Sequence, residues 1–246
     1  MATPPIPLKD RGWSGDAAVI VGGGPSLRDF RWESLFGVQH AIAINRAYQN
    51  VPYAEMFFTE DARVIKKFGH RADWKEFRGK KILHLLDDAY LPDLVGFTDD
   101  LIMVKQTKSH KRWSMSWDDG LSVSSNSAVG AFNIASIMGV KTIFALGLDC
   151  RSDGPTGQNY HDDYPKSWRP GPAQLADYAS DFEHWVALHM RLLGIKVWNV
   201  INPKFPSALT CWPQIAYEDF YRMMKGLQPR EVRVHFERET EVRFEF

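Results

Sequence analysis

The chain has 246 residues, 44% hydrophobic and 24% charged, an ordinary globular composition that allows one large domain or one domain with a small lobe. Thirty Lys and Arg balance thirty Asp and Glu, so neither a non-specific nucleic-acid binder nor a polybasic membrane-surface protein is expected. Only Cys150 and Cys211 are present, no apolar run is long enough to cross a bilayer, and the start MATPPIPLKDRG has no apolar signal core; a disulfide scaffold is excluded and a cytoplasmic location is expected.

Residues 1–16 are Pro-rich and polar and read as a flexible lead-in to a domain over 17–226. Ala17–Val21 is a short apolar run closed by Gly22-Gly23-Gly24-Pro25-Ser26-Leu27, a buried strand followed by a turn or short helix. Residues 40–44 form a second candidate strand ending at Asn45, and 55–59 a third ending at Glu60 and Asp61. Lys80–Leu85 and residues 101–104 follow as the fourth and fifth. Residues 105–125 are polar with no clear period and read as a long loop or small lid, in which Trp113 and Trp117 serve as pocket wall or as packing. Asn126 is placed to cap a helix over Ser127–Met138, with Val129, Phe132, Ile134 and Ile137 at helical spacing and Gly139 as stop. Thr142–Leu146 is the sixth strand, and 148–172 a second long polar loop. Residues 173–193 predict an amphipathic helix with Leu175, Tyr178, Phe182, Trp185, Leu188 and Leu192 on its inward face. The seventh strand, 195–200, leads to Asn202 and Ser207. The tail from 231 to 246 alternates as a strand or hairpin, a C-terminal β extension over 227–246 able to cover the sheet or join a homo-oligomer.

Strands alternating with helices through glycine turns specify an α/β, Rossmann-like fold: a mostly parallel sheet, helices on both faces, and lid loops. Ligands in such sheets bind beyond the carboxyl ends of the strands. The polar residues expected there are Gly22 to Ser26, Asn45, Thr59, Asp61, Asn126, Ser127, Asp149, Asn202 and Ser207.

The glycine turn is neither G-x-G-x-x-G nor a P-loop, since Pro25 and Leu27 break the first pattern and no G-K-[ST] follows. Its glycines permit a tight turn and close ligand approach, and amides ahead of a helix would favour a phosphate; a purely structural turn is the plainer alternative. Asn126 and Ser127 serve equally as a helix cap or as anion ligands. In the 149–164 segment, His161 is the candidate general base and Arg151 or Tyr160 the group that stabilises a departing phosphate. Asp149, Asp162 and Asp163 could instead hold Mg²⁺, while a solvated acidic loop would need no function. His184 and His189 read as surface or packing residues, and His40, His70, His84, His110 and His235 form no constellation. No G-x-S-x-G elbow is present.

Four ordered segments carry a family likeness: V-G-G-G-P-S-L; A-I-A-I-N-R-A-Y; N-S-A-V-G-A-F-N-I-A-S-I-M-G-V-K-T-I-F-A-L-G-L-D; and G-I-K-V-W-N-V-I-N-P-K-F-P-S-A-L. Together they resemble bacterial CMP-sialic-acid sialyltransferases. They also resemble the MptE-like 6-hydroxymethylpterin diphosphokinase family, with its Maf relatives and many phage-encoded members. The likeness covers residues 17–212 apart from stretches near 62–120 and 152–172. The sialyltransferase resemblance implies a CMP-sugar donor and no metal or other cofactor. It implies that Gly22, Gly23, Gly24, Ser26 and Asn45 meet the nucleotide phosphate and ribose, with Thr59 and Ser127 at further donor positions. Arg151 stands where that family carries the first of two Tyr, Tyr160 lies near the second, and the family's His falls near Asp177. The diphosphokinase resemblance implies ATP and Mg²⁺, the metal held by Asp61, Asp149 or the Asp162-Asp163 pair. The leading expectation is a glycosyltransferase moving a sugar from a nucleotide-sugar to an acceptor hydroxyl. Pyrophosphoryl transfer from ATP and a non-catalytic nucleotide-binding subunit are the alternatives.

Overall fold

The computed structural model describes residues 10–85, 94, 96, 97, 100–107, 112–124, 126–152, 159, 161 and 163–225, together with the backbone of two strands in the tail. The apolar runs form β1 (Ala17–Val21), β2 (Ala41–Ile44), β3 (Met56–Thr59), β4 (Lys80–Leu85), β5 (Leu101–Lys105), β6 (Thr142–Leu146) and β7 (Lys196–Ile201). An eighth strand, β8 (Gln214–Ala216), was not legible; three residues are too few to show a period. All eight lie in one sheet in the order β5-β4-β3-β2-β1-β6-β7-β8, and every neighbouring pair is parallel.

Burial on both faces explains why the central strands are apolar throughout rather than alternating with polar residues. Ala18 and Ile20 of β1, Ile42 and Ile44 of β2, and Ile143 and Ala145 of β6 enter one core layer. Val19, Val21, Ala41, Ala43, Phe144 and Leu146 enter the other. The first layer is closed by α3 (Ser127–Met138) and by a long helix made of α4 (Pro172–Ser180), a π-helical segment Asp181–Val186, and α5 (Ala187–Leu192). The second is closed by α1 (Ala62–Phe68), α2 (Ala72–Glu76) and α6 (Tyr217–Met224), with Val64, Ile65, Phe68, Trp74 and Phe220 buried. Helix α3 is buried from Ala128 to Met138; Asn126 caps it by accepting the Ala128 N–H at 2.9 Å, and Gly139 ends it at φ +85°.

The strand order places the site. From β1 the chain builds outward through β5, then returns to the other side of β1 with β6, so the connections leaving β1 and β6 lie side by side at a topological switch point.

Three expectations are corrected by packing. Residues 10–16 are no loose lead-in: Trp13 is buried, stacks on His40 at 4.7 Å, and the Arg11 and Trp13 amides donate to Ile137 and Met138 carbonyls. Residues 1–9 lie outside the described residues. The described part of 105–125 is no lid, because Trp113, Ser114, Leu121, Ser122 and Val123 are buried and Ser122 N–H donates to Asn133 Oδ1 of α3 at 2.8 Å. Trp113 donates to Ser136 Oγ and stacks on His189, a packing role. The long helix turns Val186, Ala187 and Met190 inward, while Leu188 and Leu192 are 45% and 72% exposed. The expected face drifts out of register after Phe182, where the π segment widens the turn.

In the tail, β9 (Arg233–Phe236) and β10 (Val242–Glu245) form an antiparallel pair, with the rest of 226–246 outside the described residues. No described helix is long and apolar enough to cross a membrane.

Candidate functional site

A cavity of about 610 Å³ opens at the carboxyl ends of the strands, over the switch point. That volume falls in the range of small-molecule sites. Gly22, Gly23 and Gly24 from the end of β1, Asn45 after β2, Asp61 after β3, Asn126 and Ser127 at the start of α3, and Asp149 and Arg151 after β6 all line it. His161 lines it from the loop side.

The glycine turn is shaped first by its neighbour. A Cβ on Gly22 or on Gly24 would lie 2.7 Å from the Gly147 carbonyl oxygen, and one on Gly24 would also meet the Asp149 carboxylate. The β1 and β6 connections therefore touch backbone to backbone. Their amides are paired accordingly: Gly22 N–H donates to Leu146 O, Gly24 N–H to Gly147 O, and Ser26 N–H to Asp149 Oδ2 at 2.8 Å. This corrects the picture of a turn whose amides all face a ligand. Among the described residues, the Gly23 N–H and the Ser127 N–H carry no hydrogen bond, and both residues lie on the cavity wall. Ser127 opens a twelve-residue helix, so its amide is backed by the positive end of the helix dipole.

Several candidates stand behind the wall rather than on it. Pro25 and Ser26 are buried in a 3-10 turn, held by Asp149 and by Tyr217, whose hydroxyl donates to Ser26 O. Thr59 is fully buried; its hydroxyl donates to Asn45 Oδ1 at 2.7 Å and accepts the Asp61 N–H at 3.0 Å. Asn202 accepts the Lys204 N–H, and the Ser207 hydroxyl ties its loop to the carbonyls after β6. The Thr59, Asn202 and Ser207 side chains and the Ser26 backbone position the wall, while Ser26 Oγ is buried without a hydrogen-bond partner among the described residues. Tyr160 and Asp162 lie outside the described residues.

Asn45 and Cys150, both on the wall, have φ of +53° and +48°. Positive φ in non-glycine residues costs energy and collects at sites where surrounding structure imposes it. At Asn45 the Thr59 hydrogen bond does so.

The charges are mostly matched. Arg46 pairs with Asp163 and Asp61 holds Arg63 through two carboxylate oxygens. Partial burial opposes the Asp163 charge, but Arg46 outweighs it and holds that carboxyl below its ordinary value. Burial, aided by Arg46, pushes His161 down to about 3, so its ring is neutral and only weakly basic. Its ring meets Tyr164 edge-on at 4.5 Å. Among the described residues no group of three His, Cys, Asp or Glu could hold a metal ion, and Asp149 and Asp163 are already engaged by Ser26 and Arg46.

No family model matches the chain, and no curated protein matches it in sequence. Solved structures do match in fold. The chain is similar to the MAf glycosyltransferase of Magnetospirillum magneticum AMB-1, with a TM-score of 0.54 and 14% identity, over 90% of this chain and 36% of that one. It is also similar to the sialyltransferase CstII of Campylobacter jejuni bound to a substrate analogue, cytidine-5'-monophosphate, with a TM-score of 0.46 and 13% identity over 81% of this chain and 87% of that one. The fold is the Rossmann-like α/β architecture found in the MAf glycosyltransferase, and the chain spans just over a third of that protein.

Two wall residues escaped the sequence reading. Glu60 follows β3 directly, and its Oε1 is buried without a hydrogen-bond partner among the described residues. Its carboxyl is raised well above the ordinary value, by burial and then by Asp181. His84, in β4, is 1% exposed, both ring nitrogens lack partners among the described residues, and burial pushes it down to about 4. Position was the available signal: each stands at the carboxyl end of a parallel strand, where ligands bind.

Proposed function

We propose that the chain is a nucleotide-sugar-dependent glycosyltransferase, with a CMP-sugar as donor and a hydroxyl as acceptor. The observation that carries this reading is the switch-point cavity itself. Gly23 and Ser127, whose amides are unengaged among the described residues, and with Ser127 the amino end of α3, line it together, an arrangement suited to one nucleotide phosphate. Asn45, fixed by Thr59, is the nearest candidate for the ribose. The fold shared with a glycosyltransferase supports the same reading.

In the proposed reaction the acceptor oxygen attacks the anomeric carbon as the bond from that carbon to the nucleotide phosphate breaks. The phosphate departs with the bonding electrons, and the amides, the helix end and Arg151 meet its growing charge. The acceptor proton passes to a base on the wall. Calorimetric titration with CMP, UMP and ATP, each with and without Mg²⁺, tests the donor class. CMP binding without Mg²⁺ is expected. Binding of ATP alone and only with Mg²⁺ would move the reading to pyrophosphoryl transfer, and no binding of any of the three would overturn it.

A further inference from the structure

Parallel register brings two unassigned titratable groups together. Thr59 pairs with Leu83, so Glu60 and His84 stand next to each other on adjacent strands. Neighbouring strands run about 4.8 Å apart. Phe58 and Ile82 point into the core layer under α3, and by alternation Glu60 and His84 point to that same side, onto the cavity wall. Helix α3 closes over them: Glu60 N–H donates to Ser127 Oγ at 3.3 Å, and a Cβ on Gly130 would come within 3.1 Å of Glu60 Oε1. The π segment brings Asp181 and Phe182 to the opposite side. Wide π turns that interrupt α-helices are frequent at functional sites. One carboxyl oxygen, Oε1, is buried under α3 without a hydrogen-bond partner among the described residues, which is costly, while the residue itself lies on the cavity wall.

The geometry points to Glu60 as the catalytic base that accepts the acceptor hydroxyl's proton, an inference that rests on the glycosyltransferase reading. The hydroxyl O–H bond breaks toward the Glu60 carboxylate, the new bond forms from the acceptor oxygen to the anomeric carbon, and the nucleotide phosphate leaves with the electron pair. Glu60 ends protonated and returns the proton to water when products leave. Burial and then Asp181 raise the carboxyl, so its carboxylate holds a proton more strongly than an ordinary one. The other ionisable groups around it are Tyr178 from α4, His84 from β4, and Asp61 with Arg63, which neutralise one another. His161, the base expected from the sequence, has a far less basic ring.

The test compares the full wild-type chain with Glu60→Gln and Glu60→Ala. CMP affinity is measured first, then release of nucleotide from CMP-N-acetylneuraminic acid, UDP-N-acetylglucosamine and GDP-mannose with water as acceptor. Glu60→Gln is expected to bind CMP within about twofold of wild type and to lose about 10²–10⁴-fold in turnover. The acidic limb of the pH–rate profile should vanish, and formate should restore turnover to Glu60→Ala. Infrared difference spectra taken across the acidic limb should show one protonated-carboxyl band that grows in the wild type as pH falls and that Glu60→Gln lacks. Full turnover in Glu60→Gln, a persisting acidic limb, or the absence of that band would overturn the assignment. Failure of the wild type to bind any nucleotide is a different result, and removes the transferase reading instead.

Discussion

Gly22 and Gly24 are glycine because another backbone occupies the space a side chain would need. Gly23, between them, has only the Asn159 side chain near it, 3.1 Å from a Cβ. The three should therefore separate on substitution. Gly22→Ala and Gly24→Ala force the β6 connection away and should each cost about 1–3 kcal/mol or more in urea unfolding. Gly23→Ala should stay within about 1 kcal/mol of wild type. An equal loss at all three positions would mean that the β1 and β6 turns do not meet as described. Asp149 belongs to the same contact: its carboxylate takes the Ser26 N–H, so its first duty is to hold two loops together.

Among the elements, the long helix over 172–192 separates sequence pattern from packing most sharply. Leu175 and Phe182 are buried as their spacing suggests, but the inward face then continues through Val186 and Met190. The π segment between them has i→i+5 character and breaks the regular period on which the pattern depends. Leu188→Gln and Leu192→Gln should each leave stability within about 0.5 kcal/mol. Met190→Ala should cost about 2–5 kcal/mol, because Met190 is 1% exposed in the core under the helix. Denaturant midpoints of the three variants decide the matter; a large loss at Leu188 or Leu192 would restore the regular helical face.

At the scale of the whole molecule, the buried site sets how stability responds to acid. His84 protonates near pH 6.5 when unfolded but only near 4 when folded. Between those values the unfolded chain binds a proton that the fold refuses, so stability falls as pH falls, by about 1.4 kcal/mol per pH unit. His161 acts with the same sign. Glu60 acts oppositely: its folded value lies above the ordinary 4.5, so its contribution to stability is lost as pH rises through the folded value. Urea midpoints at about pH 7 and about pH 5 should show a shallower acid loss in His84→Phe than in wild type, and a steeper one in Glu60→Gln. Unchanged slopes in both would mean that neither group is buried as described.

The chain's own pattern was enough to specify seven of the strands, the capped helix α3 and the α/β class. These depend on local features: apolar runs of strand length, Asn126 before a periodic segment, glycines at element ends. It also indicated where a site would form, because the carboxyl ends of parallel strands follow from that class. What it could not decide was which polar residues reach the cavity. Ser26, Thr59 and Ser207 look like ligands by position and type, yet Ser26 is held behind the wall through its backbone, and Thr59 and Ser207 turn their hydroxyls into loop-to-loop hydrogen bonds. Glu60 and His84 look like strand residues, yet strand register and the close approach of α3 leave them on the wall with unmatched polar atoms. The physical reason is range: an apolar period is set by residues a few positions apart, whereas the partner of a hydrogen-bonding group can lie more than a hundred residues away, as Asp149 does from Ser26.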